Sequence, residues 1–192
     1  MIRRMAALAA ALLACACGGP EPRIDYYSLT PTPAAAPASP ASKLSIHVGP
    51  VTVPDAVDRP QIVVRLDDNR VAIDDQHRWV EPLKNAIPRL LADSLSRELG
   101  TPDVLTSRQS SALDIDYRVA VDVQHFDSSE NEVSEDVLWT IRSRKGGAPR
   151  LGRTTVRESA AGGAAGIAAA HSRAIERVAH DIAEAIRAME SK

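Results

Sequence analysis

The chain has 192 residues, a formal net charge of −2, 44% hydrophobic and 25% charged residues, and only 3% aromatics. That length fits one domain with appendages, and a near-neutral charge gives no overall attraction to nucleic acid or to an anionic membrane. The two cysteines, Cys15 and Cys17, both lie near the N-terminus, so neither a disulfide framework nor a cysteine metal site can hold the body of the domain.

Residues 1–17 read as an export signal. Arg3 and Arg4 supply the positive start, and Ala6 to Ala14 is an apolar run far shorter than a membrane-spanning helix needs. Leu12-Leu13-Ala14 before Cys15 resembles the bacterial lipobox, which implies a signal peptide over 1–14 and lipidation of Cys15. Cys17 is the alternative acceptor, and an ordinary cleaved signal ending at Ala14 or Ala16 is the rival reading. Several acyl chains on one cysteine would make a stable anchor, since a single chain binds only marginally. Ala16 rather than Asp follows Cys15, and by resemblance to Gram-negative lipoprotein sorting this implies the outer membrane.

Residues 15–43 are expected to form a lipidated tether. Ile24 to Leu29 alternates enough for a short strand, and residues 30–42 (TPTPAAAPASPAS) have the composition of an extended Pro/Ala-rich linker. If the strand pairs with the domain, the linker is a surface loop; otherwise everything to Ser42 is spacer. The domain proper is assigned to residues 44–190.

Leu44, Ile46 and Val48 alternate, Gly49-Pro50 interrupts, and Val51 and Val53 resume, which predicts a strand with a bulge or an edge position. Ile62-Val63-Val64 and Val71-Ile73 flank Asp67-Asp68-Asn69, the pattern of a hairpin around an Asx turn. Arg78-Trp79-Val80-Glu81-Pro82 then leads into a helix with Leu83, Ile87, Leu90, Leu91, Leu95 and Leu99 on one face. Pro88 lies inside that pattern and predicts a kink or an irregular first turn. Gly100-Thr101-Pro102 stops the helix, and Val104-Leu105 starts a short strand. Strands are expected over the alternations Ile115–Val123, Val133–Ile141 and Leu151–Glu158. A Gly/Ala linker over 159–165 precedes a final helix over 166–189, with Ile167, His171, Ile175, Val178, Ile182, Ile186 and Met189 in one stripe. The fold class is therefore α+β, a mixed or antiparallel sheet with two main helices packed on one face.

The segments DRPQIVVR and RWVEPL with the Asn69 turn between them resemble the signature of the ABC-type transport auxiliary lipoprotein family, the PqiC-like or YmbA-like lipoproteins. The resemblance runs from about Tyr26 to Met189 and weakens after Phe126. It implies a periplasm-facing lipoprotein that serves as an auxiliary subunit of an MCE/ABC-type intermembrane lipid transport system. An MCE-domain protein with its permease and ATPase would then be the partner, and a homo-oligomeric ring is implied. The alternative is a stand-alone envelope lipoprotein that docks or activates another machine, such as a cell-wall synthase.

Residue chemistry points away from catalysis. His47, His77, His125, His171 and His180 stand singly on different elements rather than as converging ligands. There is no G-x-S-x-G elbow, and Gly162-Gly163-Ala164-Ala165-Gly166 lacks the Lys-Ser/Thr of a phosphate loop. No enzyme activity, metal or cofactor is expected. Arg78, Trp79 and Glu81 form the most pointed cluster: either a partner contact, or a tryptophan plug at the hairpin–helix corner. Arg59, Pro60, Gln61, Arg65 and Asn69 carry the same two readings. Arg142, Arg144 and Lys145 make one hairpin end basic and are candidates for a lipid headgroup or an acidic partner; export removes nucleic acid from consideration.

Overall fold

The computed structural model describes residues 23–33, 42–106 and 114–191. The signal peptide, Cys15, Cys17 and most of the Pro/Ala-rich linker lie outside the described residues. Eight strands and two long helices follow in the order β1 (Asp25–Tyr27), β2 (Ile46–Thr52), β3 (Gln61–Arg65), β4 (Val71–Trp79), α1 (Leu83–Leu99), β5 (Val104–Leu105), β6 (Tyr117–Ser128), β7 (Glu132–Ser143), β8 (Arg150–Ser159) and α2 (Gly163–Glu190). The class is α+β, as the alternation and helical stripes require.

The strands divide between two sheets, a separation the sequence pattern does not reveal. A three-stranded sheet has the order β1-β4-β3, and a five-stranded mixed sheet has the order β5-β2-β6-β7-β8. In the larger sheet β2 runs parallel to β5 and β6, while β6, β7 and β8 form an antiparallel meander. Helices α1 and α2 pack on each other; α1 lies against β2, and α2 lies against β7 and β8. The core between them is aliphatic: Val119, Val121, Val137 and Ile141 from the sheet meet Leu90, Leu91, Ile175, Val178 and Ile182 from the helices. Each fully buried branched side chain of this kind contributes roughly 1.5–3 kcal/mol.

The early strand is part of the folded unit. β1 pairs in parallel with the end of β4, with Tyr27 opposite Trp79, and the Val80 N–H donates to Tyr27 C=O at 2.8 Å. The next residues are pinned to α2. The Thr30 N–H donates to Ser172 Oγ, and Thr32 donates through both its N–H and its hydroxyl to the Glu176 carboxylate. Arg97 of α1 bridges the Thr32 carbonyl and Glu176. The domain therefore holds the chain on both sides of the Pro/Ala-rich segment, at Thr32 and at Ser42, whose N–H donates to Gly100 C=O.

Local exceptions to regular pattern have identifiable causes. The Asx turn forms because Asp67 Oδ1 accepts from the N–H groups of Asn69 and Arg70. β4 runs well past the alternation ending at Ile73. Its register slips between the Ile62–Asp74 and Gln61–Arg78 pairs, where Asp74 accepts the N–H groups of Gln76 and His77. That irregularity reverses the phase of the strand and turns Trp79 inward. β2 carries the expected bulge between Val48 and Val51. α1 begins at Leu83 and continues uninterrupted through Pro88. The carbonyl that Pro88 leaves without its helical donor belongs to exposed Lys84, where water can replace it. α2 starts three residues earlier than the Gly/Ala composition suggests, since Ala164 and Ala165 already favour helix.

Gly152 is needed for packing. A Cβ there would stand 2.0 Å from Trp139 Cζ2, so the Trp139 ring lies directly over the β8 backbone. Its indole N–H donates to buried Thr154 Oγ1 at 3.1 Å. Gly152→Ala is expected to lower stability by about 1–3 kcal/mol through displacement of that ring, measurable as a shift of the urea midpoint without change in slope.

Candidate functional site

The hairpin–helix corner resolves into a packing device. Trp79 is 5% exposed; its ring meets Phe126 edge-on at 6.3 Å and His171 at 6.2 Å. Its N–H donates to Pro60 C=O at 2.6 Å, so Arg59-Pro60-Gln61 is the loop that closes over the corner. Arg65 reaches Asp127 at the far end of β6 at 2.5 Å, and Glu81 pairs with Arg89 of α1 at 2.6 Å. Asn69 serves the Asx turn through its backbone. Arg78 is half-buried, with an Nε that finds no acceptor. Of the two readings for Trp79, the buried plug is the one the structure supports. Arg65 and Glu81 face ion-pair partners inside the same chain.

Beneath Trp79 lies a group that the sequence did not single out. His171 stacks on Phe126 at 3.7 Å with rings 5° from parallel. Its Nδ1 is 2.7 Å from Glu135 Oε1 and its Nε2 is 2.9 Å from Ser128 Oγ. Serine, histidine and carboxylate thus stand in the order of a hydrolase triad. Both His171 and Glu135 are 0% exposed and Ser128 is 4% exposed, so no substrate reaches the hydroxyl from solvent. Burial pushes the Glu135 carboxyl well above its ordinary range and holds His171 down to about 3. An imidazole of that basicity is a poor proton acceptor near neutral pH, and a neutral acid cannot stabilise an imidazolium. The trio is better described as a polar tie through the core. Its second carboxyl oxygen, Glu135 Oε2, has no partner. A signal existed: Glu135 shares strand parity with Val133, Val137, Trp139 and Ile141. Ser128 carried none, because a slip in register between Val123 and His125 changes the phase of β6.

The basic hairpin end divides into paired and unpaired charge. Arg144 binds Asp116 at 3.0 Å and Lys145 binds Glu190 at 3.2 Å. Glu190 also accepts the Tyr117 hydroxyl, and burial together with that carboxylate pushes the phenol up to about 12. Arg142 is exposed and makes no ion pair among the described residues. No group of three or more His, Cys, Asp or Glu placed to hold a metal occurs among the described residues. No helix among them is long and apolar enough to cross a membrane.

A family model described as ABC-type transport auxiliary lipoprotein component matches residues 27–183. The chain belongs to this family. Two solved structures share its fold. An uncharacterized protein superposes with a TM-score of 0.70 at 19% identity, covering 85% of this chain and 99% of its own. Protein XCC0632 from Xanthomonas campestris, of family DUF330, gives 0.64 at 17% identity, covering 83% and 92%. No curated protein matches. For this auxiliary lipoprotein the match spans β4, the Trp79 corner, α1 and α2 as far as residue 183, so it covers the residues that build the polar tie.

The tie has a defined pH signature. With reference values of 4.5 for Glu135 and 6.5 for His171, the unfolded pair holds one proton between those pH values. The folded pair holds one as well, on neutral Glu135, so stability there is independent of pH. Above pH 6.5 only the folded state keeps that proton, and stability falls by up to about 1.4 kcal/mol per pH unit until Glu135 ionises. Below pH 4.5 the unfolded histidine holds the extra proton, and stability falls again as pH drops. Glu135→Gln is expected to remove the alkaline decline and to move the onset of the acid decline up from about pH 4.5 to about pH 6.5, which urea unfolding at pH 4, 5.5, 7 and 8.5 would show.

Proposed function

We propose that this chain is an outer-membrane-anchored periplasmic lipoprotein that acts as a non-catalytic auxiliary subunit of an MCE/ABC-type intermembrane lipid transport system. The observation that carries the reading is the family match across residues 27–183. The lipobox-like Leu12-Leu13-Ala14-Cys15 supports the anchor. The closed state of the one triad-like cluster supports a structural rather than a catalytic role. Acyl chains on Cys15 fix the domain at the membrane, and the domain presents a docking surface to the MCE-domain protein. Tyr26, Val71 and Ile73 are exposed on the three-stranded sheet, which gives that partner apolar area to bury.

Two experiments test this. Cys15→Ser is expected to release the protein from the membrane fraction, while Cys17→Ser leaves it membrane-bound; the reverse result would move the anchor to Cys17. A photo-reactive residue at Ile73, which is exposed where Trp79 is not, is expected to capture an MCE-domain protein in living cells. Capture of a cell-wall synthase alone, or of no envelope partner from Ile73, Val71 or Tyr26, would overturn the transport reading.

A further inference from the structure

The outer face of the five-stranded sheet, the side away from the helices, carries positive charge that the chain does not neutralise. Arg118 of β6 is the cross-strand partner of Arg142 of β7, and paired residues in an antiparallel ladder point to the same face. Their Cα atoms are about 4.5–5.5 Å apart in such a pair. Both side chains are exposed, and neither has an ion-pair partner among the described residues. The nearest acid along β6, Asp116, is engaged by Arg144 and by Ser45. Like charges directly opposite each other destabilise a sheet.

Arg118 also lines a groove of about 830 Å³ between β2 and the start of α1. Its floor and walls include Val48, Pro50, Val51 and Pro88, and its charged lining residues are Lys84, Arg89 and Arg118. Among the described residues no carboxylate lines it. Lys84 and Arg89 are held from outside the groove by Asp58 and Glu81, so they are positioned cations rather than free ones. His47 stands beside Arg118 in the β2–β6 ladder and extends the polar row across a third strand. The groove thus joins a cationic rim to an apolar floor. Among the described residues, β5 pairs with β2 only at Ile46 and His47.

We propose that this groove is a binding site for a phosphate-bearing anion, with Arg118 of the groove and its cross-strand neighbour Arg142 receiving the phosphate and Pro50, Val51 and Pro88 receiving an attached apolar chain. Guanidinium forks match phosphate oxygens bidentately and keep their charge at every physiological pH. The apolar floor favours an anionic phospholipid over free phosphate. That choice of source rests on the transport reading; the anion site itself does not.

The test uses the full-length lipoprotein in a maltoside detergent, titrated calorimetrically with three probes. These are short-chain phosphatidylglycerol, inorganic phosphate, and an uncharged diacylglycerol of the same chain length. Saturable binding of the phosphatidylglycerol is expected, at least about tenfold tighter than the diacylglycerol and weaker at high salt. Arg118→Gln/Arg142→Gln is expected to lose about tenfold or more, and each single variant part of that. Without ligand the double variant should melt at the same or a higher temperature, because the repulsion is gone. Inorganic phosphate binding as tightly as the lipid would support the anion site and assign it to free phosphate. Diacylglycerol binding equally well, or an unchanged affinity in the double variant, would overturn the proposal. Capture of a partner from Ile73 is independent of this groove, so the two readings fail separately.

Discussion

Stability of the whole architecture depends on the contact of three rings from three elements. Trp79 comes from the small sheet, Phe126 from the large sheet and His171 from α2, and they stack or meet edge-on in one place. Aromatics are 3% of the chain, and here rings from the small sheet, the large sheet and α2 meet beside the aliphatic contacts that Ile62 and Val64 of the small sheet also make with the core. Edge-to-face and stacked pairs of this kind contribute about 0.5–1.5 kcal/mol each beyond area burial. The histidine then binds two polar groups that would otherwise be costly inside a core, although one Glu135 oxygen stays unsatisfied.

Most elements were legible because their side chains alternate or recur at helical spacing against one buried face. Ile46, Val48, Val119, Val121, Ile175 and Ile182 are all read correctly as interior by that rule alone. What the pattern could not reveal was the division into two sheets, since strands of either sheet alternate in the same way. Nor could it place Trp79, whose inward position follows from the β4 irregularity at Asp74–His77. The same limit explains the polar tie. Glu135 was visible as an acid on an apolar face, but its partners come from β6 and α2, far apart in sequence. The unpaired state of Arg118 and Arg142 likewise follows from cross-strand register, which no single segment contains.

The functional reading rests on surfaces rather than on a reactive centre. Where the chain brings serine, histidine and carboxylate together, it closes them from solvent and removes their charge. Where it leaves charge or apolar area open, it does so on sheet faces: Arg118 and Arg142 with Leu138 and Leu151 on the large sheet, and Tyr26, Val71 and Ile73 on the small one.

The parallel pairing of β1 with β4 has a geometric consequence for the anchored protein. Only ten peptide units separate Cys15 from Asp25, the first residue of that strand, and an extended chain advances at most about 3.6 Å per residue. With acyl chains on Cys15, the small sheet cannot stray beyond roughly 35 Å of the bilayer surface. Because the domain holds the chain on both sides of the proline-rich segment, at Thr32 and Ser42, the segment's length adds nothing to that leash. Under the proposed anchoring at Cys15, the domain is a mooring held close to its membrane, and a bridge across the envelope would be built toward it by the partner.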